Sequence, residues 1–439
     1  MKKLLTFLLT AVMAVACCIG LVGCNDKGGS KSTPSDVKVG LICLHDDNST
    51  YDKNFIDAMK AVCAEKGADL VIRTGIDEDT VCYDTAIDLV SQGCSIIFAD
   101  SFGHEPYILQ AAKEKPNVQF YHATGTTAHT ENQANFHNAF ADIYQGRFVA
   151  GYIAGLKLAE MVKDDTATEV KVGYVGAWPY AEVKSGYTSW FLGLRKAFEE
   201  ETTGKTVTMK VTFTNSWYDE VKEKNAAEAL IADGCKLISQ HADSWGAPTA
   251  CEKAGVPNVS YNGSTASKCP NTFLVSSKIN WKPYFRAMID AKRNNTALED
   301  DWTAGFCLYD EDNGAVNLSS LGKSVAAGTA EKVNKLIANL VLGNIKVFDC
   351  STFTVTIDEN AKSLGYEDKP WSGKNLNATV DGDGHLTAYM ADVDSDPDYA
   401  GDHNVVVSED GVTYFAESFW RSAPYFDVDI DGISTLLVD

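Results

Sequence analysis

From Lys38 onward, short apolar runs alternate with segments in which apolar residues recur at helical spacing. Lys38–Leu44 (KVGLICL) has the length and continuity of a buried strand. Phe55, Met59, Val62 and Cys63 then follow a helical period until Gly67 supplies a stop. Asp69–Arg73, Ser95–Ala99 and Val118–His122 repeat the strand signal, with helices predicted around Tyr83–Val90 and Pro106–Lys115. A longer helix over Asp142–Val162 carries Gly146, Gly151 and Gly155. Arg147, Lys157 and Glu160 interrupt it, so its glycines predict close helix packing in a core and not a membrane span. The alternation then restarts with strands Val170–Val175, Val207–Phe213, Lys236–Ser239, Asn258–Tyr261 and Phe273–Ser276. Strands separated by helices of this length imply βαβ units and parallel sheets.

This pattern divides the chain into an N-terminal α/β lobe (37–143, completed by about 278–348) and a C-terminal α/β lobe (144–277). The expected architecture is two Rossmann-like lobes with parallel sheets around a cleft. After Asp349 the texture changes. Thr379–Tyr389 and Val405–Phe415 read as hairpins with Asp-Gly turns, and 349–439 is expected to be a small β-rich extension.

The first 24 residues carry a different message. Lys2-Lys3, an apolar run from Leu4 to Ile19 and Leu21-Val22-Gly23-Cys24 describe a secretory signal over 1–23. Small residues directly before Cys24 resemble a bacterial lipobox, in which that cysteine is lipidated and palmitate-type acyl chains anchor the protein to the outer face of the cell membrane. Residues 24–36 then read as a lipidated flexible tether. Nine cysteines remain beyond Cys24, spread singly with no CxxC pair, which predicts buried free thiols in preference to a disulfide framework. The formal net charge of −22 supplies no basic patch for nucleic acid.

In an open parallel sheet, ligands bind beyond the carboxyl ends of the strands. The segments there are 46–51, 100–104, 177–180, 215–219, 241–245, 261–264 and 277–281, and they hold Trp178, Trp217, Trp245 and Trp281. Loops after strands favour small polar residues, so large aromatic rings there call for a reason. A Trp face stacks on a planar ring, and Asp or Asn beside it hydrogen-bonds ring N–H and acceptor groups. Purines fit that description, and so do sugars through their C–H faces. Interface packing of the lobes is the competing role for each Trp. Asp219 stands at a helix start, where capping explains it as well as a cleft position does. Asp243 directly follows an apolar strand and reads as a carboxylate facing the cleft.

Other chemistries find weak support. His241 has no second histidine at ligand spacing, so no metal is expected. Asp427-Val428-Asp429-Ile430-Asp431-Gly432 begins like a calcium loop, but Val438 stands where a bidentate Glu is needed. A secreted serine hydrolase using Ser244 and His241 is conceivable, yet G-x-S-x-G is missing, as are a P-loop and G-x-G-x-x-G. No catalytic residue and no cofactor are expected.

Several stretches resemble the basic membrane protein family. They are YHATGT (Tyr121–Thr126), YQGRFVAGYIAG (Tyr144–Gly155), KVGYVGAWPYAEV (Lys171–Val183), FTNSWYDEVKE (Phe213–Glu223), ISQHADS (Ile238–Ser244) and INWKPYF (Ile279–Phe285). The resemblance covers about Lys38 to Gly305 and fades beyond Asp349. It implies a type I periplasmic-binding fold and a substrate-binding lipoprotein of an ABC importer, partnered by permease and ATPase subunits. Relatives of this kind bind purine nucleosides or free purines between aromatics of the two lobes. The residues expected to bind ligand here are Tyr51, Asn54, Trp178, Trp217, Asp243, Tyr261, Asn262, Asn280 and Trp281. A sugar-binding protein of the same fold is the alternative.

Overall fold

A computed structural model describes residues 36–310, 312–366, 373–393 and 403–437. The expected signal peptide, Cys24, the tether up to residue 35 and Val438 lie outside these. In the first half the chain runs β1 (Lys38–Ile42), α1 (Thr50–Lys66), β2 (Asp69–Arg73), α2 (Thr80–Ser91), β3 (Ile96–Ala99), α3 (Glu105–Glu114), β4 (Gln119–Ala123), a short α4 (Ala128–Glu131) and β5 (Phe136–Ala139). The second half runs α5 (Ile143–Met161), β6 (Glu169–Gly176), α6 (Ala181–Glu201), β7 (Thr206–Phe213), α7 (Glu220–Ala232), β8 (Ile238–Gln240), α8 (Gly246–Ala254), β9 (Asn258–Tyr261) and β10 (Phe273–Ile279). Then come α9 (Lys282–Asn294), β11 (Asp301–Trp302), β12 (Val316–Leu318) and α10 (Thr329–Val341).

Two sheets result. The first has the order β11-β5-β4-β3-β1-β2, all parallel. The second has the order β12-β10-β9-β8-β6-β7 and ends on a strand from the C-terminus, Ile433–Thr435, parallel to β7. In it β12 alone runs antiparallel, against β10. This two-sheet α/β architecture is the type I periplasmic-binding fold. Strand order reverses between β1 and β3 in one sheet and between β6 and β8 in the other. Those two switch points are where ligands of such sheets lie.

Local signals account for the element ends that matter. Ser49 caps α1, its Oγ accepting from Asp52 N at 3.2 Å while donating to Asp52 Oδ2 at 2.6 Å. Gly67 closes the same helix at φ 64°, its N–H reaching Cys63 O. The glycine spacing of α5 does pack helices closely. A Cβ on Gly151 would lie 1.9 Å from Trp190 O, and one on Gly155 would lie 2.2 Å from Leu194 O, so only glycine lets α5 and α6 touch backbones there. The nine described cysteines are free thiols, all buried except Cys307. No described helix is long and apolar enough to cross a membrane.

The segment 278–348, expected to complete the first lobe, divides instead. Helix α9 packs on α1 and β11 joins β5, but β12 pairs with β10 and α10 packs on α5 in the second lobe. Beyond 349 the expected hairpins form, 378–380 with 386–391 and 406–409 with 412–415. This tail shares one apolar core with the second lobe, where Phe426 stacks on Phe348 at 4.2 Å between ring centroids.

Candidate functional site

A cavity of about 690 Å³ opens at the carboxyl ends of both sheets. Its lobe-derived lining follows the switch points. The first lobe gives Leu44, His45, Tyr51 and Asp52 after β1, Ser101 and Phe102 after β3, and Thr124 and Thr126 after β4. The second gives Tyr180 and Glu182 after β6, Trp217 after β7, His241 and Asp243 after β8, and Tyr261 on β9. The lobes meet across it, since Thr50 N and Oγ1 donate to Asp243 O at 3.1 and 3.2 Å. The other half of the lining comes from the tail, within 363–366, 373–392 and 421–427.

The aromatic faces belong to both lobes. Phe102 lies 5.7 Å from Tyr180 across the cleft, and Tyr180 lies 6.0 Å from Trp217, ring centroid to ring centroid. Tyr51 presents its ring to the cavity while its hydroxyl donates to Asp100 O at 2.7 Å. Tyr261 is 2 % exposed and backed by the buried Arg147, whose guanidinium stands 4.6 Å from the ring centroid. Arg147 is itself held by Gln240 O at 2.8 Å and by the Tyr174 hydroxyl.

Three carboxylates in the lobe wall are in different states. Asp52 is tied down: its Oδ1 accepts from His45 N at 2.7 Å and its Oδ2 from Ser49 Oγ. Burial works to raise its pKa, but the hydrogen bonds from His45 and Ser49 prevail and hold it below the usual value. Glu182 faces His241, Oε2 to Nε2 at 2.9 Å. Asp243 is 4 % exposed, and none of the described hydrogen bonds involves its carboxylate. Burial, reinforced by the charges of Asp52 and Glu223, pushes its pKa well above the ordinary carboxylate range. A buried carboxylate without a partner is costly, and a ligand N–H or O–H would relieve that cost.

The other residues expected at the site lie elsewhere. Asn54 turns back to donate to Ile279 O at 2.5 Å, because its place on α1 faces the crossover after β10. Asn280 donates to Asp312 O and Gly314 O, fixing a connection between the sheets. Trp281 is fully buried, stacked on Phe55 at 4.4 Å. Trp178 stacks behind Tyr180 at 5.9 Å and does not line the cavity. Asn262 is buried beside Tyr261 with φ 59°, off the cavity lining, and neither of its amide atoms has a hydrogen-bond partner among the described residues. Asp219 caps α7, its Oδ1 accepting from Val221 N and Lys222 N. Trp245 sits under Lys268, 4.8 Å from Nζ to ring centroid. Ser244 Oγ accepts from Gly246 N at 3.0 Å, and no described bond joins it to His241.

Sequence reasoning passed over Phe102, Tyr180, His45 and Glu182. The first two stand in the strand-end segments singled out above, where ring size favoured Trp178. The tail residues carried no strand-end signal.

Comparison with known proteins completes the picture. Residues 42–349 match the family model described as ABC transporter substrate-binding protein, PnrA-like. A purine-binding protein of Brucella abortus is 31% identical over 336 residues, 74% of this chain and 88% of that protein. A Haloferax volcanii protein bearing the name of an ABC transporter glucose-binding protein is 27% identical over 264 residues, 60% of this chain and 61% of its own length. Among solved structures, a solute-binding protein from Aeropyrum pernix superposes with a TM-score of 0.60 at 16% identity, covering 71% of this chain and 93% of its own. One from Conexibacter woesei gives 0.55 at 21% identity, covering 71% and 98%. These likenesses show the shared fold.

Proposed function

The chain belongs to the PnrA-like family of ABC transporter substrate-binding proteins, and on that premise we propose that it captures a purine nucleoside or free purine and delivers it to an ABC importer. The observation that carries the reading is the buried carboxylate of Asp243, without a hydrogen-bond partner among the described residues, in a cavity whose walls also hold the rings of Tyr51, Phe102, Tyr180 and Trp217. A purine offers what such a wall lacks, a flat π-face together with N–H donors. Stacking on one aromatic ring contributes roughly 0.5–1.5 kcal/mol, and a hydrogen bond to a charged group roughly 1.5–3 kcal/mol. The Brucella abortus relative, named as a purine-binding protein, supports the same choice.

Binding couples to motion in this reading. The lobes touch through Thr50 and Asp243, so a ligand that contacts both walls favours the closed arrangement over an open one. Tyr51, Trp217, Asp243 and Tyr261 are the side chains assigned to the ligand, and the protein binds without turning it over. The lipobox pattern at Cys24 supports anchoring to the outer face of the membrane through lipid, where a permease can receive the ligand. Isothermal titration of the unliganded protein with adenine, adenosine, guanine, guanosine and glucose tests the proposal. Saturable one-to-one binding of a purine is expected; glucose binding with no purine binding would hand the site to the sugar reading that the Haloferax volcanii relative represents.

A further inference from the structure

The family match ends at residue 349, and the chain beyond it builds a loop, 416–425, that touches both the cavity and the first lobe. The loop is folded on itself. The Tyr425 hydroxyl accepts from Phe419 N at 3.0 Å and from Trp420 N at 3.4 Å, and it donates to Ala416 O. Arg421 Nε donates to Ala423 O at 3.1 Å, and Tyr425 N donates to Glu417 Oε2 at 3.4 Å. A loop packed and bonded by its own residues moves as one piece. It moves with the second lobe, because Phe415, Tyr425 and Phe426 stand in the apolar core that holds α5 and α6. Just past it, Asp427 and Asp429 grip the buried Lys184 of α6, each Oδ1 2.9 Å from Nζ.

The loop nevertheless holds the first lobe. Ser422, 2 % exposed, donates its N–H to Asp301 Oδ1 at 3.0 Å. Asp301 lies on β11 in the first sheet, and its Oδ2 faces His129 Nδ1 of α4 at 3.7 Å. The place of this contact matters. Beside it β5 and the β11 segment run together, through Asn138 N to Asp300 O at 2.8 Å, Phe140 N to Trp302 O at 3.0 Å and Asp142 N to Ala304 O at 2.9 Å. Both strands then leave for the second lobe, β5 into α5 and β11 toward β12. Thr303 Oγ1 ties the two exits together by donating to Asp142 Oδ1 at 2.6 Å. Ser422 thus moves with one lobe and Asp301 with the other. A hydrogen bond is lost once its N···O distance passes about 3.5 Å, so rotation of the lobes about these exits works against this one. Arg421, Ala423, Pro424 and Tyr425 of the same loop line the cavity, which puts the ligand and the contact on one rigid piece.

We propose that loop 416–425 is a clasp, seated on Asp301, that holds the two lobes closed and slows ligand exchange. The clasp goes beyond the purine reading, and closure can be measured without any ligand. Small-angle scattering of the full unliganded chain tests it, joined by stopped-flow release of adenosine. Asp301→Ala removes the acceptor, and Tyr425→Phe keeps the ring but frees the loop from its hydroxyl. Each is expected to enlarge the unliganded radius of gyration, and Asp301→Ala to speed adenosine release at least about threefold, the effect of one hydrogen bond. Asp301→Asn, which keeps the accepting Oδ1, and His129→Ala, which keeps the Ser422 bond, should stay at wild-type size and rate. Wild-type size in Asp301→Ala or in Tyr425→Phe overturns the clasp. So does expansion of Asp301→Asn to match Asp301→Ala, or expansion of His129→Ala, since either would credit the contact with His129 and not the tail. An Asp301→Ala chain that no longer folds overturns it as well, because a clasp governs closure and not folding. If adenosine fails to bind the wild type the purine reading falls, while the scattering still decides the clasp.

Discussion

The cavity has two walls held by different forces. The lobe wall consists of residues at the ends of parallel strands, each set by ladder hydrogen bonds and by helix starts such as the Ser49 cap. The tail wall has little regular structure. It hangs on an apolar core shared with the second lobe, on the terminal strand beside β7 and on the buried Lys184 with its two aspartates. Toward the first lobe it reaches Asp301, whose Oδ1 accepts from Ser422 N at 3.0 Å. The difference teaches how such a protein can open. The tail is built to travel with the second lobe, and it leaves the first lobe by releasing polar contacts such as that of Ser422 with Asp301 and no shared apolar core.

The largest effect that could break this comparison lies at Lys184. Lys184→Met would leave Asp427 and Asp429 without their cation, and losing one member of a buried ion pair costs roughly 3–5 kcal/mol. Urea unfolding should show that loss; an unchanged midpoint would mean that the tail does not depend on this contact.

Asp243→Ala probes the opposite wall, with the opposite pattern. Purine affinity should fall about 100-fold, or about 2.7 kcal/mol. The unliganded protein should melt no lower, because the pKa of Asp243 is raised by burial and its ionised form burdens the fold. Calorimetry beside a thermal melt checks both halves, and a lower unliganded melting temperature with intact affinity would make Asp243 structural.

A third pair of variants separates the walls by pH. Glu223, which receives Ser244 N in the lobe wall, has its pKa raised by burial to about 7. Glu417, buried in the tail, has its pKa raised by burial to about 8. An acid whose folded pKa exceeds its unfolded value binds more protons when folded, so stability falls as pH rises through that window. From about pH 4.5 each group then contributes a slope of at most about 1.4 kcal/mol per pH unit. Glu223→Gln should remove the part of the decline that ends near pH 7, and Glu417→Gln the part that extends to about pH 8. Urea midpoints at several pH values decide, and parallel curves for both variants and the wild type would contradict the assignment.

The smallest effect is expected at Asp219→Ala. Loss of this cap should cost about 1 kcal/mol of stability and leave ligand affinity alone. Weakened binding would return Asp219 to the site.

Much of the lobe wall was legible in the sequence, for a physical reason. Apolar runs and helical spacing locate strand ends, and strand ends of parallel sheets locate ligands, so Tyr51, Trp217, Asp243 and Tyr261 could be placed at the cavity. The rule gives a neighbourhood but no side-chain direction. Trp281 follows a strand yet turns inward onto Phe55, and Asn280 follows the same strand yet bonds Gly314 O. The division of 278–348 between the lobes was hidden because the pairing of β12 with β10 depends on chain crossings that no local pattern records. The tail wall was hidden for the same reason more strongly. Lys184 and Asp427 meet only because the chain returns to the second lobe after leaving the part that resembles its relatives.

Thermal unfolding with and without ligand tests the central claim most directly. A ligand at 100 times its Kd adds about 2.7 kcal/mol to the folded state. The account predicts that a purine base or nucleoside raises the melting temperature of the wild type, that glucose does not, and that Asp243→Ala loses the rise. A rise with glucose and none with any purine base or nucleoside would contradict it.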